Sequence, residues 1–316
     1  MRSYLLRRLP SALLVLFAAS FLIFAILRLV PGDRDPATSL AGPDASPATV
    51  AAIRDRLGLD APLLSQYAHW IGSLLTGDLG PSYAIGGEVS DLIGDGLGVT
   101  TELTLAALLF VIVLGTAFGI LGATSRSRWI RSTIRVTTTA ALAVPPFVSG
   151  VLLVVLFAVV LGVLPPGGRV AFLDAPDLAA QYLLLPALCL ALPSAAVLGR
   201  YLKDGIERAL AEDYIRTATA AGVAPRRLLW RHALPGALPP VVTLLGMQTG
   251  HLLGGAVLVE AIFAWPGLGQ LAEQGLQRRD YPVVQDLLLL LVAVFVVVQL
   301  LTDLVYAWLD PRIRWE

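Results

Sequence analysis

The sequence predicts an all-α membrane protein with six transmembrane helices, and three observations carry that prediction. Hydrophobic residues fill 56% of the 316 positions and charged residues only 15%, where a soluble domain carries roughly 25% charged residues. Six stretches are apolar over a spanning length, at about residues 9–30, 101–123, 136–163, 182–199, 236–259 and 284–309; a bilayer-crossing helix needs about 20 such residues. The cations are also lopsided. Arg2, Arg7, Arg8, Arg126, Arg128, Arg131, Arg135, Arg200, Lys203, Arg208, Arg216, Arg226, Arg227, Arg231, Arg312 and Arg314 fall on the side of the N-terminus. Only Arg28, Arg34, Arg54, Arg56, Arg169, Arg278 and Arg279 fall opposite. The positive-inside rule therefore places both termini in the cytoplasm.

The first span follows Arg2, Arg7 and Arg8 but is long for a signal peptide's apolar core, and no small-x-small cleavage site precedes Pro31-Gly32. It reads as a signal-anchor helix over 1–30. Residues 31–99 form the longest outer segment and predict an extracytoplasmic helical cap. Within it Ser46-Pro47 marks a helix start and Gly58 a stop. After Asp60-Ala61-Pro62, the residues Leu63, Leu64, Tyr67, Trp70, Ile71, Leu74 and Leu75 recur at helical spacing, and Val89, Leu92 and Ile93 make a shorter amphipathic helix. Packing over the bundle is the expected role of this cap, ahead of ligand binding.

Residues 100–316 form the five-helix core. Gly115 and Gly119 make one GxxxG pair and Gly246, Gly250 and Gly254 a double one, so that neighbouring backbones approach closely. Pro145-Pro146, Pro186, Pro193 and Pro239-Pro240 are expected to interrupt the helical hydrogen bonding of their spans. Polar groups at membrane depth are few: Gln248 and His251 in span five, Asp286, Gln299 and Asp303 in span six. Asp286 and Asp303 lie toward opposite ends of their span and read as interfacial, and His251 as a hydrogen-bonded packing residue.

The inner segment 200–235 is too polar to span yet reads as helix. Arg200, Asp204, Glu207 and Arg208 share a face. A second helix from Glu212 to Ala221 carries acids in its first turn, which suits the helix dipole. Gly222 stops it, Pro225 opens the next helix, and Pro235 closes the loop before span five. An exposed short helix with Tyr214 and Ile215 beside Ala218, Ala220 and Ala221 fits helix-in-groove recognition.

Several classes of chemistry are excluded or disfavoured. No GxxxxGK[ST] sequence is present and Lys203 is the sole lysine, so the chain does not bind nucleotide through a P-loop. Cys189 alone rules out an internal disulfide or a cysteine metal cluster. His251 lacks the second histidine and acid of a metalloprotease helix. Zero net charge implies no nucleic-acid partner. Neither buried ion-coupling groups nor related repeats point to a secondary transporter.

The loop Glu212, Thr217-Ala218-Thr219-Ala220-Ala221-Gly222, His232-Ala233-Leu234-Pro235 resembles the signature of binding-protein-dependent ABC importer permeases. Pro31-Gly32-Asp33, Leu57-Gly58-Leu59-Asp60, Gly77-Asp78-Leu79-Gly80 with Ser82-Tyr83, Trp265-Pro266-Gly267-Leu268-Gly269, Asp280-Tyr281-Pro282-Val283 and Asp310-Pro311-Arg312 narrow the resemblance to the first permease of the dipeptide/oligopeptide group. One departure is Pro31-Gly32-Asp33-Arg34-Asp35-Pro36, two residues longer than the family's usual run from Asp to Pro. The resemblance implies a type I ABC importer permease fold in a bacterial inner membrane, with no catalytic residue and no metal or cofactor of its own. Its implied partners are a second, homologous permease, two ATPase subunits that bind ATP and Mg, an extracytoplasmic substrate-binding protein and membrane lipid. Peptides are the leading substrate; nickel chelates, glutathione or haem are the alternatives. Carried onto this sequence, the ATPase-coupling residues are Glu212, Asp213, Tyr214, Ile215, Arg216, Ala218, Ala221, Gly222, Val223, His232 and Pro235. Gln248, His251, Glu260, Trp265, Pro266 and Gly267 are pathway or gate candidates. For Glu260 and the Trp265 turn, a structural role in re-entering the membrane ranks above substrate contact.

Overall fold

Long apolar runs punctuated by glycine and proline fold into helices throughout the computed structural model, which describes residues 2–29, 36–42, 45–56 and 58–309. The motifs Pro31-Gly32-Asp33 and Asp310-Pro311-Arg312, together with Leu57 and the Asp303 side chain, lie outside the described residues. In chain order the helices are α1 (Arg2–Leu29), α2 (Pro36–Ala41), α3 (Pro47–Arg56), α4 (Leu63–Thr76), α5 (Val89–Thr124), α6 (Arg128–Ala143) and α7 (Pro146–Leu153). They continue with α8 (Pro176–Leu210), α9 (Asp213–Ala220), α10 (Pro225–Leu228), α11 (Leu234–Phe263), α12 (Leu268–Arg278) and α13 (Tyr281–Leu309). Among the described residues, five helical stretches are long and apolar enough to cross a membrane. A sixth span results if the bent pair α6–α7 counts as one.

That bent pair places the expected interruption of the span over 136–163 at Pro145-Pro146. The chain turns by 117° between Arg128–Ala143 and Pro146–Val160. Val144 is extended, at φ −89° and ψ 125°, the conformation forced on a residue that precedes proline. The other prolines do not act this way: α8 runs on through Pro186 and Pro193, and α11 through Pro239 and Pro240. Packed neighbours hold a helix straight where a proline only removes one hydrogen bond. Val89, Leu92 and Ile93, expected to form a separate short helix, are the opening turns of the 36-residue α5.

Two compact units divide the chain. One comprises Arg2–Val99 and Pro266–Val296 and so takes in the predicted cap. Here α4 lies against α1: Phe17, Phe21 and Phe24 meet the Tyr67 ring edge-on at 5.5–6.3 Å, and Phe24 stacks on Trp70 at 6.2 Å. The Tyr67 hydroxyl and Ser20 Oγ share a 2.8 Å hydrogen bond, so the phenol tip inside this aromatic cluster is satisfied. Gly77 ends α4 in the left-handed region at φ 82°, where a Cβ would be strained. A second cluster joins Val89 and Ile93 to Leu268, Leu271 and Ala272 of α12 and Val283 and Leu287 of α13.

Thr100–Trp265 and Val297–Glu316 form the other unit, built round α8. Gly115 and Gly119 receive Leu198 and Leu202: a Cβ at either glycine would stand 2.6–2.9 Å from the nearest leucine carbons. Gly199 of α8 returns the contact to Phe118. In α11 the close approaches fall on Gly246, against Thr302, and Gly255, against Leu190. Among the described residues a Cβ at Gly254 would meet nothing within 4 Å, so the double GxxxG motif packs only in part. With 35 residues, α8 extends about 50 Å at 1.5 Å per residue. Its length exceeds the roughly 30 Å hydrocarbon core, and its last turns, Arg200 to Leu210, continue the span as one rod.

Candidate functional site

The polar segment after α8 is the most organised exposed feature of its unit. Glu212 is extended (φ −65°, ψ 147°) and occupies the N-cap position of α9 without a side-chain capping bond. Asp213 stands in the first turn beside Arg216, at 3.5 Å. Thr217 Oγ1 donates to the Asp213 carbonyl at 3.1 Å and Thr219 Oγ1 to the Ile215 carbonyl at 2.8 Å, so neither hydroxyl breaks the helix. At the far end the Gly222 N–H donates to the Thr219 carbonyl and the Val223 N–H to the Ala218 carbonyl. Gly222 takes φ +79°. This closure needs the left-handed region, which glycine enters at least cost.

One face of α9 anchors it. Ile215 is buried, Ala218 is half-buried, and the helix rests against α8 and α10. The other face is open: Glu212, Asp213, Tyr214, Arg216, Ala220, Ala221 and Gly222 are exposed. Among the described residues a Cβ at Gly222 would meet nothing within 4 Å. His232 tilts toward Tyr214 at 6.5 Å between ring centres. Pro225 begins the return, but Pro235 does not end the loop as the sequence suggested. Helix runs unbroken from Pro225 through the π-turns of Leu229–Ala233 into α11, because a proline in the first turn of α11 removes only an N–H whose bond the wider π-turns already displace.

The remaining predicted site residues of this unit separate into two groups. Gln248, buried, and His251, exposed, line a cavity of about 260 Å³ with Cys189, Pro193 and Ser194 of α8. Glu260 is fully buried and accepts a 2.6 Å hydrogen bond from Thr100 Oγ1. The α11 helix then breaks at Ala264, in the left-handed region at φ 49°, and the Trp265 N–H donates back to the Glu260 carbonyl at 2.9 Å. Trp265 is itself fully buried. Arg169 reaches Glu102 through two nitrogens at 2.5 and 3.1 Å, and the Gly168 N–H donates to the Phe263 carbonyl. This stitching fixes the loop before α8 to α5 through Glu102 and to the end of α11 through Phe263.

Two sequence comparisons bear on this arrangement. Residues 115–315 match the family described as "binding-protein-dependent transport system inner membrane component", and residues 1–104 match its N-terminal counterpart. The chain belongs to this family of ABC importer permeases. Over the full length of both chains it is 37% identical to the glutathione transport system permease protein GsiC of Escherichia coli K12. It is 36% identical to the same-named protein of Shigella flexneri serotype 5b. Two solved structures share the fold. One is the inward-facing MetNI methionine ABC transporter, with TM-score 0.57 and 20% identity over 69% of this chain and 96% of the other. The second is an amino acid ABC transporter with histidines, with TM-score 0.52 and 18% identity over 71% and 95%. The fold is therefore the type I importer permease fold, in a multi-pass inner-membrane protein.

This permease carries a second polar constellation that sequence reasoning did not assemble. Asp280, fully buried at the start of α13, accepts from Ser82 Oγ at 2.6 Å and from the Ala84 and Ile85 N–H groups at 2.9 and 3.3 Å. Among the described residues its buried Oδ1 has no hydrogen-bond partner. Ser82 Oγ in turn accepts from the Ile85 and Gly86 N–H groups at 3.0 Å. Asp286, read from the sequence as interfacial, is instead buried and accepts the Trp70 indole N–H at 2.7 Å. A cavity of about 190 Å³ lies beside it, lined by Arg28, His69, Trp70, Tyr83 and Gln285 among others. Pro266 is exposed, while Gly267 is buried at the N-cap of α12. Ser82-Tyr83 and Asp280-Tyr281 stood out as motifs, yet nothing in their spacing showed that they touch.

Proposed function

We propose that this permease forms one half of the translocation pathway of an importer for short peptides, with the tripeptide glutathione as the first substrate to test. The full-length 37% identity to glutathione permeases supports that choice. Both termini face the cytoplasm, the segment 31–99 faces the opposite side and the substrate-binding protein, and a second permease completes the pathway. ATP and Mg are bound by two partner ATPase subunits, so this chain performs no hydrolysis.

The observation that carries the reading is the presentation of α9: anchored through Ile215, closed by Gly222, and open along the face from Tyr214 to Ala221. A short rigid helix with one free face suits insertion into a groove of a partner. Glu212, Asp213, Arg216, Val223, His232 and Pro235 frame it. Because α8 continues rigidly into the segment just before α9, displacement of α9 by a closing ATPase pair moves a rod packed against α5, α6 and α11. Motion of that kind switches access from one side of the membrane to the other. Gln248 and His251, which line a cavity between α8 and α11, face the pathway in this scheme. Glu260, Trp265, Pro266 and Gly267 hold the gate region in shape.

A photo-crosslinker at Tyr214 tests the docking directly. The expected product is an adduct with the cognate ATPase subunit, absent when the crosslinker stands at exposed Leu173. Uptake of labelled glutathione, in competition with di- and tripeptides, tests the substrate; failure of every peptide to compete would remove the peptide reading and leave docking intact.

A further inference from the structure

Helix α6 carries Arg128, Arg131 and Arg135 at spacings of three and four, so the three side chains leave one face. They line a cavity of about 600 Å³ together with Phe118 and Gly122 of α5 and Gly199, Arg200, Lys203, Asp204 and Glu207 of α8. Five cations thus face two carboxylates. Both carboxylates are spoken for by Lys203, whose Nζ lies 3.0 Å from Glu207 and 3.8 Å from Asp204. Arg200 donates one bond to Thr139 Oγ1 at 3.1 Å. Among the described residues no carboxylate lies within ion-pair distance of Arg128, Arg131 or Arg135. The cavity therefore holds an excess of three guanidinium charges, whose planar forks suit phosphate oxygens.

The same helix is apolar beside its basic stripe. Trp129 is 78% and Val136 64% exposed, and Ile130 is exposed as well. Trp129 and Val136 are seven residues apart, so they stack along one flank of the arginine row. A tryptophan with exposed aliphatic neighbours next to a row of arginines is the pattern of a helix at a membrane–water interface. A soluble anion would use the charges and leave the apolar flank idle; a phospholipid uses both. Basic pockets between transmembrane helices take anionic headgroups in just this way.

We infer that the α5–α6–α8 cavity is a binding site for an anionic phospholipid, its phosphodiester held by Arg128, Arg131 and Arg135 and its acyl chains lying along Trp129 and Val136. The inference does not rest on the identity of the transported substrate.

Native mass spectrometry of the purified full chain, titrated with phosphatidylglycerol and with phosphatidylcholine of the same acyl chains, tests this. The wild-type chain should retain phosphatidylglycerol about tenfold more tightly, as expected when several cations meet one headgroup. R128Q/R131Q/R135Q should bind the two lipids alike. R128K/R131K/R135K should keep most of the preference, and R278Q/R279Q, a charge loss elsewhere, all of it. If the triple glutamine variant fails to fold, R131Q alone should lower the preference by about threefold. Overturning results are an equal affinity of the wild type for both lipids or an undiminished preference in the glutamine variants. Displacement of the lipid by glycerol phosphate at the lipid's own concentration would also overturn it, since the acyl chains would then contribute nothing. So would loss of the preference in the complete importer, which would show a protein partner covering the site.

Discussion

The Trp70 indole N–H donates to Asp286 Oδ1 at 2.7 Å, joining residues 216 positions apart in the chain. Trp70 also stacks on Phe24 at 6.2 Å, with the planes 17° apart. Trp70→Phe keeps most of the stack and removes the donor. Hydrogen bonds to charged groups contribute about 1.5–3 kcal/mol, and the variant should lose that much in equilibrium unfolding by denaturant in detergent. Asp286→Asn retains an acceptor and should lose less. Equal stability of Trp70→Phe and wild type would show that the bond carries no net energy.

Asp280 is the acceptor on which the 82–86 turn is built. Asp280→Ala removes bonds from Ser82 Oγ and two backbone N–H groups and should destabilise the protein by about 3 kcal/mol or more, since buried donors are left unmade. Limited proteolysis should then cut between residues 79 and 88. Ser82→Ala, which removes one donor of the set, should show a smaller loss and little new cleavage. A turn that stays resistant in Asp280→Ala would contradict the assignment.

Much of the local structure follows from sequence chemistry, while the contacts between distant segments do not. Ser46 Oγ accepts the Thr49 N–H at 3.1 Å and Gly222 closes α9 at φ +79°, as helix start and stop residues predict. The Gly115–Gly119 pair was readable as a packing face, but its partners Leu198 and Leu202 were not, because spacing names a face without naming what covers it. Val144-Pro145-Pro146 reads as an interruption within a span, yet the 117° turn depends on Val144 being extended rather than on proline content alone. Asp286 reads as interfacial because a carboxylate near a helix end is usually solvated; only the fold brings Trp70 to it. The α9 loop was legible in outline since its stop residues are local, whereas its continuity from Pro225 into α11 depends on π-turns that no residue pattern announces.

Gly119→Leu tests the packing of α5 on α8. A Cβ there would stand 2.7 Å from Leu202 Cβ, and overpacking of this kind costs about 1–3 kcal/mol. Thermal denaturation should show the loss, and Leu202→Ala should recover part of it in the double variant. Strictly additive single effects would mean that the two residues do not meet.

Tyr83 should titrate above the ordinary phenol range. Burial pushes its pKa up, Arg56 opposes this, and Asp280 reinforces it. A raised folded-state pKa means that the native protein holds the proton more tightly, so stability is fully present below about pH 10 and falls as pH rises through the folded-state value. Unfolding measured from pH 9 upward should show this decline, and Tyr83→Phe should reduce it. An identical decline in both proteins would remove Tyr83 as its source.

The central claim, that α9 and Gly222 couple this permease to its ATPase, is tested most directly by substrate-stimulated ATP hydrolysis and uptake in the reconstituted importer. Gly222 has an open Cβ direction, so any bulky replacement that abolishes function acts through a partner or through the left-handed turn. Gly222→Asn tolerates that turn and Gly222→Trp does not. Gly222→Trp should lose at least about fivefold in both activities, the scale of a typical coupling free energy, while inserting into the membrane normally; Gly222→Asn should retain more of both. Wild-type uptake and ATPase stimulation by Gly222→Trp would contradict the account.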